Sequence, residues 1–236
     1  DTVTMSANGD IQTCGEIDVN YVIKQKEIAE RKLANLKTLY GSHIQTHLVL
    51  GKVTDAILNF SEANHFDMIV MGTTGASGLR GVLLGSVAAN VLSGSKIPVL
   101  IVPKKASFRN HARFVFATDF RMHLNQHTLN ILKTALNIQH TGLDVVHVFQ
   151  KAGAEPKKAA EESLGKKLGS IPHAFHYLHN PNVAQAVSDF VESTNANGVV
   201  AVSHEHSLLH KLFSESVSRS LAHRTTVPLL VLHDAE

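Results

Sequence analysis

Cysteine is nearly absent from this 236-residue chain: Cys14 stands alone. A single thiol excludes an internal disulfide framework and a cysteine-based zinc site, and it suits the reducing conditions of the cytoplasm, the expected location. Long apolar runs are missing too. No stretch approaches the roughly 20 apolar residues that a helix needs to cross a bilayer, and residues 1–10 have neither the basic nor the apolar region of a secretory signal. Charge of one sign is equally scarce. Charged residues make up 18% of the chain, the formal net charge is +2, and the 22 Lys and Arg residues are spread out rather than clustered. Neither a nucleic-acid nor a membrane partner is expected. What the chain does hold is 44% hydrophobic residues, ample for a core, and 16 histidines, 13 of them after residue 110.

The apolar pattern repeats at an offset of about 130 residues. VTDAILNFSEANHFDMIVMG (53–72) matches VAQAVSDFVESTNANGVVAVS (183–203). Val53, Ala56, Ile57 and Phe60 in one, and Val183, Ala186, Val187 and Phe190 in the other, give a helical face. Each face runs through a polar turn into a short continuous apolar stretch, the pattern of a buried parallel strand. GSKIPVLIVP (94–103) likewise matches RTTVPLLVLH (224–233), with Pro98 and Pro228 each preceding a strand. In the second copy, strands are expected at 113–120, 143–149, 173–178 and 198–202, with helices between them and a last helix before the final strand. The first copy offers a helix at 21–40 and a strand at 43–50, but residues 1–20 show no counterpart of the strand–helix–strand at 113–149.

The fold class is therefore α/β: two tandem open, mostly parallel sheet domains with flanking helices, related by a pseudo-twofold, the first truncated at its start. The expected domains are 1–105 and 111–236, joined by the polar connection 103–113. The two Pro-started strands, 98–102 and 228–232, are expected to lie side by side as an intramolecular pseudo-dimer, with a homodimer as a further option. A first domain without its opening units leaves apolar edges and helix faces uncovered.

Gly72, Gly75 and Gly85 punctuate the segment between the 66–71 strand and the helix VAANVL. Ligands of open α/β sheets sit beyond the carboxyl ends of strands. A helix starting near Ser86 turns unpaired N–H groups and a positive dipole end toward an anion. Gly72 and Gly75 let the main chain approach without a Cβ, and the Ser86 hydroxyl is placed to cap the helix or to bond a phosphate oxygen. Neither GxxxxGK[ST] nor GxGxxG is present in this region, and from the glycines alone a merely flexible connection is as good a reading.

The stretch VMGTTGASGLRGVLLGSVAANVLSGSKIPVLIVP resembles the universal stress protein family in its tandem two-domain form. The G-x2-G-x9-G-[S/T] motif of its nucleotide-binding members is met by Gly72, Gly75, Gly85 and Ser86, and the resemblance covers the chain from about residue 21. It implies a stress-response protein that binds ATP with Mg2+ in its first half and modulates contacts with protein partners, with at most slow hydrolysis. It places Gly72 and Gly75 along the ribose and phosphates, Gly85, Ser86 and Val87 at the phosphates, and Met71 near the base. The family's aspartate after the first strand has its match in Asp119, in the second half, where Val146 or Val148 corresponds to the small apolar residue near the base. That half reads SHEH (203–206) and Glu215–Ser216 at the loop positions, so a degenerate, nucleotide-poor second site is expected.

Two other functions compete with nucleotide binding. One is a nucleotide-independent scaffold or chaperone-like interaction module, suggested by the incomplete first half and degenerate second half. The other is a histidine-based zinc module. His204, His206 and His210 are its candidates, but HEHSLLH is not HExxH. His173 and His176 point to opposite faces if 173–178 is a strand, so zinc is not expected. Asp119 near His123 and His127 suggests acid–base chemistry, yet no G-x-S-x-G elbow is present, and no catalytic residue is assigned.

Overall fold

A computed structural model describes residues 2–6, 19–73, 84–104, 106, 113–120, 126–136, 142–151, 158–203 and 227–233. The chain forms two compact units, Asp1–His65 and Phe66–Glu236.

In the first unit, β1 (Thr2–Ser6) pairs in parallel with β2 (Gln45–Val49), flanked by α1 (Val19–Tyr40) and α2 (Val53–Ala63). Sequence reading placed no element before residue 21; β1 is therefore an addition, in which Thr2 and Thr4 alternate with Val3 and Met5 as a strand requires and pairing with β2 fixes the register. Along α1, among the residues whose burial is described, Leu33 alone is buried, while Tyr21, Ile23 and Leu39 are at least half exposed. Two i,i+4 ion pairs, Lys26–Glu30 at 3.8 Å and Glu27–Arg31 at 4.0 Å, sit on its solvent side. Being exposed, they add only a few tenths of a kcal/mol.

The second unit contains β3 (Ile69–Gly72), α3 (Ser86–Gly94), β4 (Val99–Val102), β5 (Phe114–Ala117), α4 (Gln126–Leu136), β6 (Leu143–Phe149), α5 (Lys158–Leu168), β7 (His173–His179), α6 (Val183–Thr194), β8 (Gly198–Ser203) and β9 (Leu229–His233). Its seven strands run in the order β3-β4-β9-β8-β5-β6-β7. Neighbouring strands are parallel except β4 and β9, which are antiparallel with Leu100 opposite Leu230. This joint is the side-by-side arrangement expected of the two Pro-started strands. The repeat is visible in its hydrogen bonds: Ile69 N–H donates to the Pro98 carbonyl and Val199 N–H to the Pro228 carbonyl, both at 2.8 Å. It is visible in its caps too, since α2 and α6 are followed by left-handed residues, His65 (φ 52°) and Asn195 (φ 50°).

β5 is buried along its whole length because helices cover both faces of the sheet. On one face Phe116, Val145, Val200 and Leu230 pack with Leu129 and Leu132 of α4 and Leu164 and Leu168 of α5. On the other, Val115, Ala117, Val146 and Val199 pack with Val183, Ala186, Val187 and Val191 of α6. α6 starts where Asn182 Oδ1 accepts the Gln185 N–H at 3.0 Å.

Gly198 is a packing requirement. A Cβ there would stand 2.7 Å from the Phe114 ring and 3.2 Å from the Pro228 carbonyl oxygen. Gly198→Ala is expected to lower stability by about 1–3 kcal/mol, read as a lower urea midpoint. An unchanged midpoint would show that the Phe114 ring can swing clear.

One ion pair pins the amino-terminal side of this sheet. Asp144, in the apolar strand β6, is almost fully buried and accepts from Arg113 Nε at 2.6 Å, Arg113 Nη2 at 2.8 Å and His176 Nε2 at 2.8 Å. Burial alone would raise its pKa; the hydrogen bonds from Arg113 and then His176 overcome that and hold the carboxyl below its ordinary value. At the antiparallel joint, His233 of β9 makes a 3.2 Å hydrogen bond from Nε2 to the Leu92 carbonyl of α3. Burial pushes its pKa down, against the opposing pull of the Leu92 and Ile97 carbonyls.

Candidate functional site

The candidate site lies at the carboxyl end of β3. Met71 and Gly72 close that strand, with Met71 half-buried and Gly72 exposed. The chain returns to the same place at α3, because the Gly85 N–H donates to the Thr73 carbonyl at 2.7 Å. That one bond ties both ends of the glycine-rich segment together and sets the amino end of α3 at the strand terminus. Ala88, Val91 and Leu92 anchor the helix by burying one face. Ser86 and Val87 are left at its start, exposed and half-buried respectively.

The cap differs from the sequence expectation. Gly85, at φ −64° and ψ 155°, is the N-cap residue and has no side chain to offer, whereas Ser86 is the first helical residue. Its hydroxyl therefore does not cap the helix and stays at the surface. The first N–H groups of an α-helix have no intrahelical partners, and together they carry the positive end of the macrodipole. A glycine N-cap contributes no side-chain acceptor to these groups.

Met71, Gly72, Gly85, Ser86 and Val87 are thus brought together; Gly75 lies outside the described residues. Asp119 and Val146 occupy the corresponding end of the second half. Thr118 N–H donates to the Val146 carbonyl at 2.9 Å, and Thr118 Oγ1 accepts from Phe120 N–H at 2.9 Å, making a tight turn with Phe120 at φ 61°. Asp119 sits on this turn, half-buried, directly after β5. Val146 is 1% exposed in the core under α6, so of the two only Asp119 reaches the surface.

His204, His206 and His210 fall outside the described residues, as do Glu205, Glu215 and Ser216. Among the described residues no three His, Cys, Asp or Glu side chains gather in a way that could hold a metal ion. The β7 histidines have other partners. His173 Nδ1 lies 2.7 Å from the Ile171 carbonyl and its ring stands edge-on to Phe175, while His176 faces Asp144 and the Phe190 ring. They are on opposite faces of the sheet, as alternation along the strand requires.

Two groupings escaped the sequence reading. One is the Arg113–Asp144–His176 network, for which an aspartate inside an apolar strand is the available signal, since a buried carboxylate needs partners. The other is a row of rings near the carboxyl ends of β6 and β7. Phe149 stands 4.5 Å from His147, 5.3 Å from His179 and 6.1 Å from Tyr177, and the Phe120 ring lies 5.1 Å from His147. Tyr177 donates to the Glu161 carboxylate, and burial together with that neighbour raises its pKa well above the ordinary phenol value. Alternating aromatics in 143–149 and 173–179 carried its signal.

No helix among the described residues is long and apolar enough to cross a membrane. The family model described as the universal stress protein family matches residues 16–103 and 113–233. A universal stress protein of Methanocaldococcus jannaschii is 41% identical over 76 residues, which are 32% of this chain and 45% of that protein. A second from the same organism is 36% identical over 87 residues, 36% of this chain and 54% of that protein. The chain spans about half the length of these curated relatives. A universal stress protein structure from Archaeoglobus fulgidus superposes with a TM-score of 0.70 at 23% identity, covering 100% of this chain and 86% of that one. One from Pseudomonas aeruginosa, a putative family member, gives 0.56 at 12% identity over 99% and 82%. These structural likenesses speak to the fold.

Proposed function

From the premise that the chain belongs to the universal stress protein family, we propose that its first repeat binds an adenine nucleotide, ATP with Mg2+, and that occupancy modulates contacts with protein partners. The observation that carries this reading is the 2.7 Å bond from Gly85 N–H to the Thr73 carbonyl, which holds the amino end of α3 at the carboxyl end of β3. The N–H groups of Ser86 and Val87 are the donors offered to phosphate oxygens, with the Ser86 hydroxyl beside them. Gly72 and Gly75 leave the main chain bare along the ribose and phosphate path, and Met71 supplies the apolar contact for the base. Mg2+ would come with the phosphates, which carry its ligands. Any hydrolysis is secondary, since no side chain here stands out as a general base. Asp119 marks the second half's counterpart of this place, whose loop positions carry Glu205 and Glu215 where the first half has Gly75 and Gly85.

Calorimetric titration of Mg-ATP into the chain tests the proposal, with one site per chain expected. Gly85→Asp is the informative variant. Aspartate is a favourable N-cap, so the helix keeps or gains stability, while its carboxylate sits where phosphates would bind. Affinity is expected to fall at least tenfold with the thermal midpoint unchanged or higher. Equal binding by both proteins would remove the site from this loop. No binding by a folded sample free of carried-over nucleotide would favour a nucleotide-independent interaction module.

A further inference from the structure

β4 and β9, the strands that join the two repeats, hold one titratable side chain between them, His233. Its Nε2 lies 3.2 Å from the Leu92 carbonyl, 141 positions earlier in the chain. A carbonyl only accepts, so Nε2 carries the hydrogen and the neutral ring keeps a lone pair on Nδ1. Nδ1 is buried and has no hydrogen-bond partner.

The Nε2 contact closes a helix end. The last carbonyls of an α-helix have no partner within it. α3 stops at Gly94, and the Ser95 N–H still bonds back to the Val91 carbonyl at 2.9 Å. Leu92 comes next, and its carbonyl is met by His233 from the other repeat. A helix of 9 residues is too short to hold by its own bonds, so contacts of this kind fix where its carboxyl end rests. The closure is one-sided. Aligning GSKIPVLIVP with RTTVPLLVLH sets Pro103 at the position of His233, and proline neither donates nor titrates.

Protonation would add an N–H at Nδ1, where no acceptor stands, and a charge inside the joint. Nothing on the packed elements offsets that charge. α3, β4, β8 and the connection 95–98 carry one titratable residue, Lys96, which is exposed and of the same sign. Burial pushes the pKa of His233 down and outweighs the Leu92 and Ile97 carbonyls, which favour the charged ring.

We propose that His233 is a proton-operated latch between the repeats: neutral, it holds the carboxyl end of α3 against β9, and protonated, it no longer fits the joint and frees that end. The latch is complete above the unfolded histidine value of 6.5 and is lost as pH falls from there toward the lower folded value. α3 bears Gly85, Ser86 and Val87 at its other end, so acid is expected to loosen the candidate nucleotide site as well. That consequence rests on the nucleotide reading, whereas the latch does not.

Amide exchange on the nucleotide-free chain tests it. Corrected for intrinsic rates, amides 89–95 of α3 are expected to exchange at least roughly threefold faster at about pH 5 than at about pH 7.5, with β5 at the sheet centre unchanged. His233→Gln keeps a donor for Leu92 without a titrating ring, and is expected to abolish the change. The imidazole signal missing from the spectrum of that variant is His233, expected to titrate below 6.5 in the wild type. An equal change at β5, an unchanged α3, a His233 signal titrating at or above 6.5, or an acid response that persists in His233→Gln would overturn the proposal. Should glutamine not be tolerated, the wild-type comparison of α3 with β5 decides alone.

Discussion

Phe116→Ala is expected to cost about 3–5 kcal/mol of stability, the usual range for emptying a fully buried aromatic site. Phe116 is 0% exposed at the centre of the sheet, between Val200 on β8 and Val145 on β6, and packs in the same cluster as Leu132 of α4 and Leu164 of α5. Two strands and two helices hold those neighbours in place, so the space cannot collapse and the cavity contribution adds to the lost burial. Thermal unfolding of a unit this size should move down by roughly 10 °C. Val70→Ala is the internal control, since strand register sets Val70 in one row with Leu100, Leu230, Val200 and Phe116 but leaves it 61% exposed. Its effect should stay within about 0.5 kcal/mol. Equal losses at both positions would mean that Phe116 is no better enclosed than Val70.

Arg113→Ala is expected to cost about 2 kcal/mol at neutral pH and to shift the acid limb of the stability profile to higher pH. The guanidinium makes a two-point contact with Asp144, whose side chain is only 2% exposed, but it is itself 54% exposed. Water entering the vacated place therefore reduces the loss below the 3–5 kcal/mol of a fully enclosed pair. The sign of the pH effect follows from the direction of the Asp144 shift. Its pKa in the folded chain is held below the unfolded value of about 4. Its contribution is complete above that unfolded value and is lost as pH falls through the folded one. Without Arg113, His176 remains as partner, the folded pKa rises, and the stability is lost at higher pH. The gap between wild type and variant should close as pH falls through the lowered wild-type value, where both carboxyls become protonated. Urea midpoints measured from pH 2 to 7 check this. Arg113→Lys should recover only part of the loss, because an ammonium cannot reproduce the two-point fork. Parallel profiles for wild type and Arg113→Ala would refute the network's role.

Periodicity made most elements legible. The strands expected at 143–149, 173–178 and 198–202 are β6, β7 and β8, and the helix expected at 21–40 is Val19–Tyr40. The junction marked by Gly72, Gly85 and Ser86 was legible because glycine spacing and the onset of an apolar helix are local features, whereas Met71 and Val87 came only with the family resemblance. Three things were not. β1 carries a strand-like alternation in TVTMS, but its five residues do not name the partner that β2 supplies. Arg113, Asp144 and His176 come from three segments separated by about 30 residues each, so no window of sequence contains their contact. The identity of the cap, Gly85 rather than Ser86, depends on where the returning chain bonds to Thr73.

By itself, the sequence determined the kind and order of the elements, the internal repeat, and the glycine pattern that marks one strand–helix junction, since each is written in neighbouring residues whose side chains must face a core or a turn. Only the tertiary structure decided that β4 and β9 join antiparallel, that Asp144 is hydrogen-bonded by Arg113 and His176, and that the same valine of the repeat is sealed at position 200 and 61% exposed at position 70. The physical reason is shared by all three. Pairing and burial belong to which segments meet, and a residue's own neighbours in sequence do not specify that meeting.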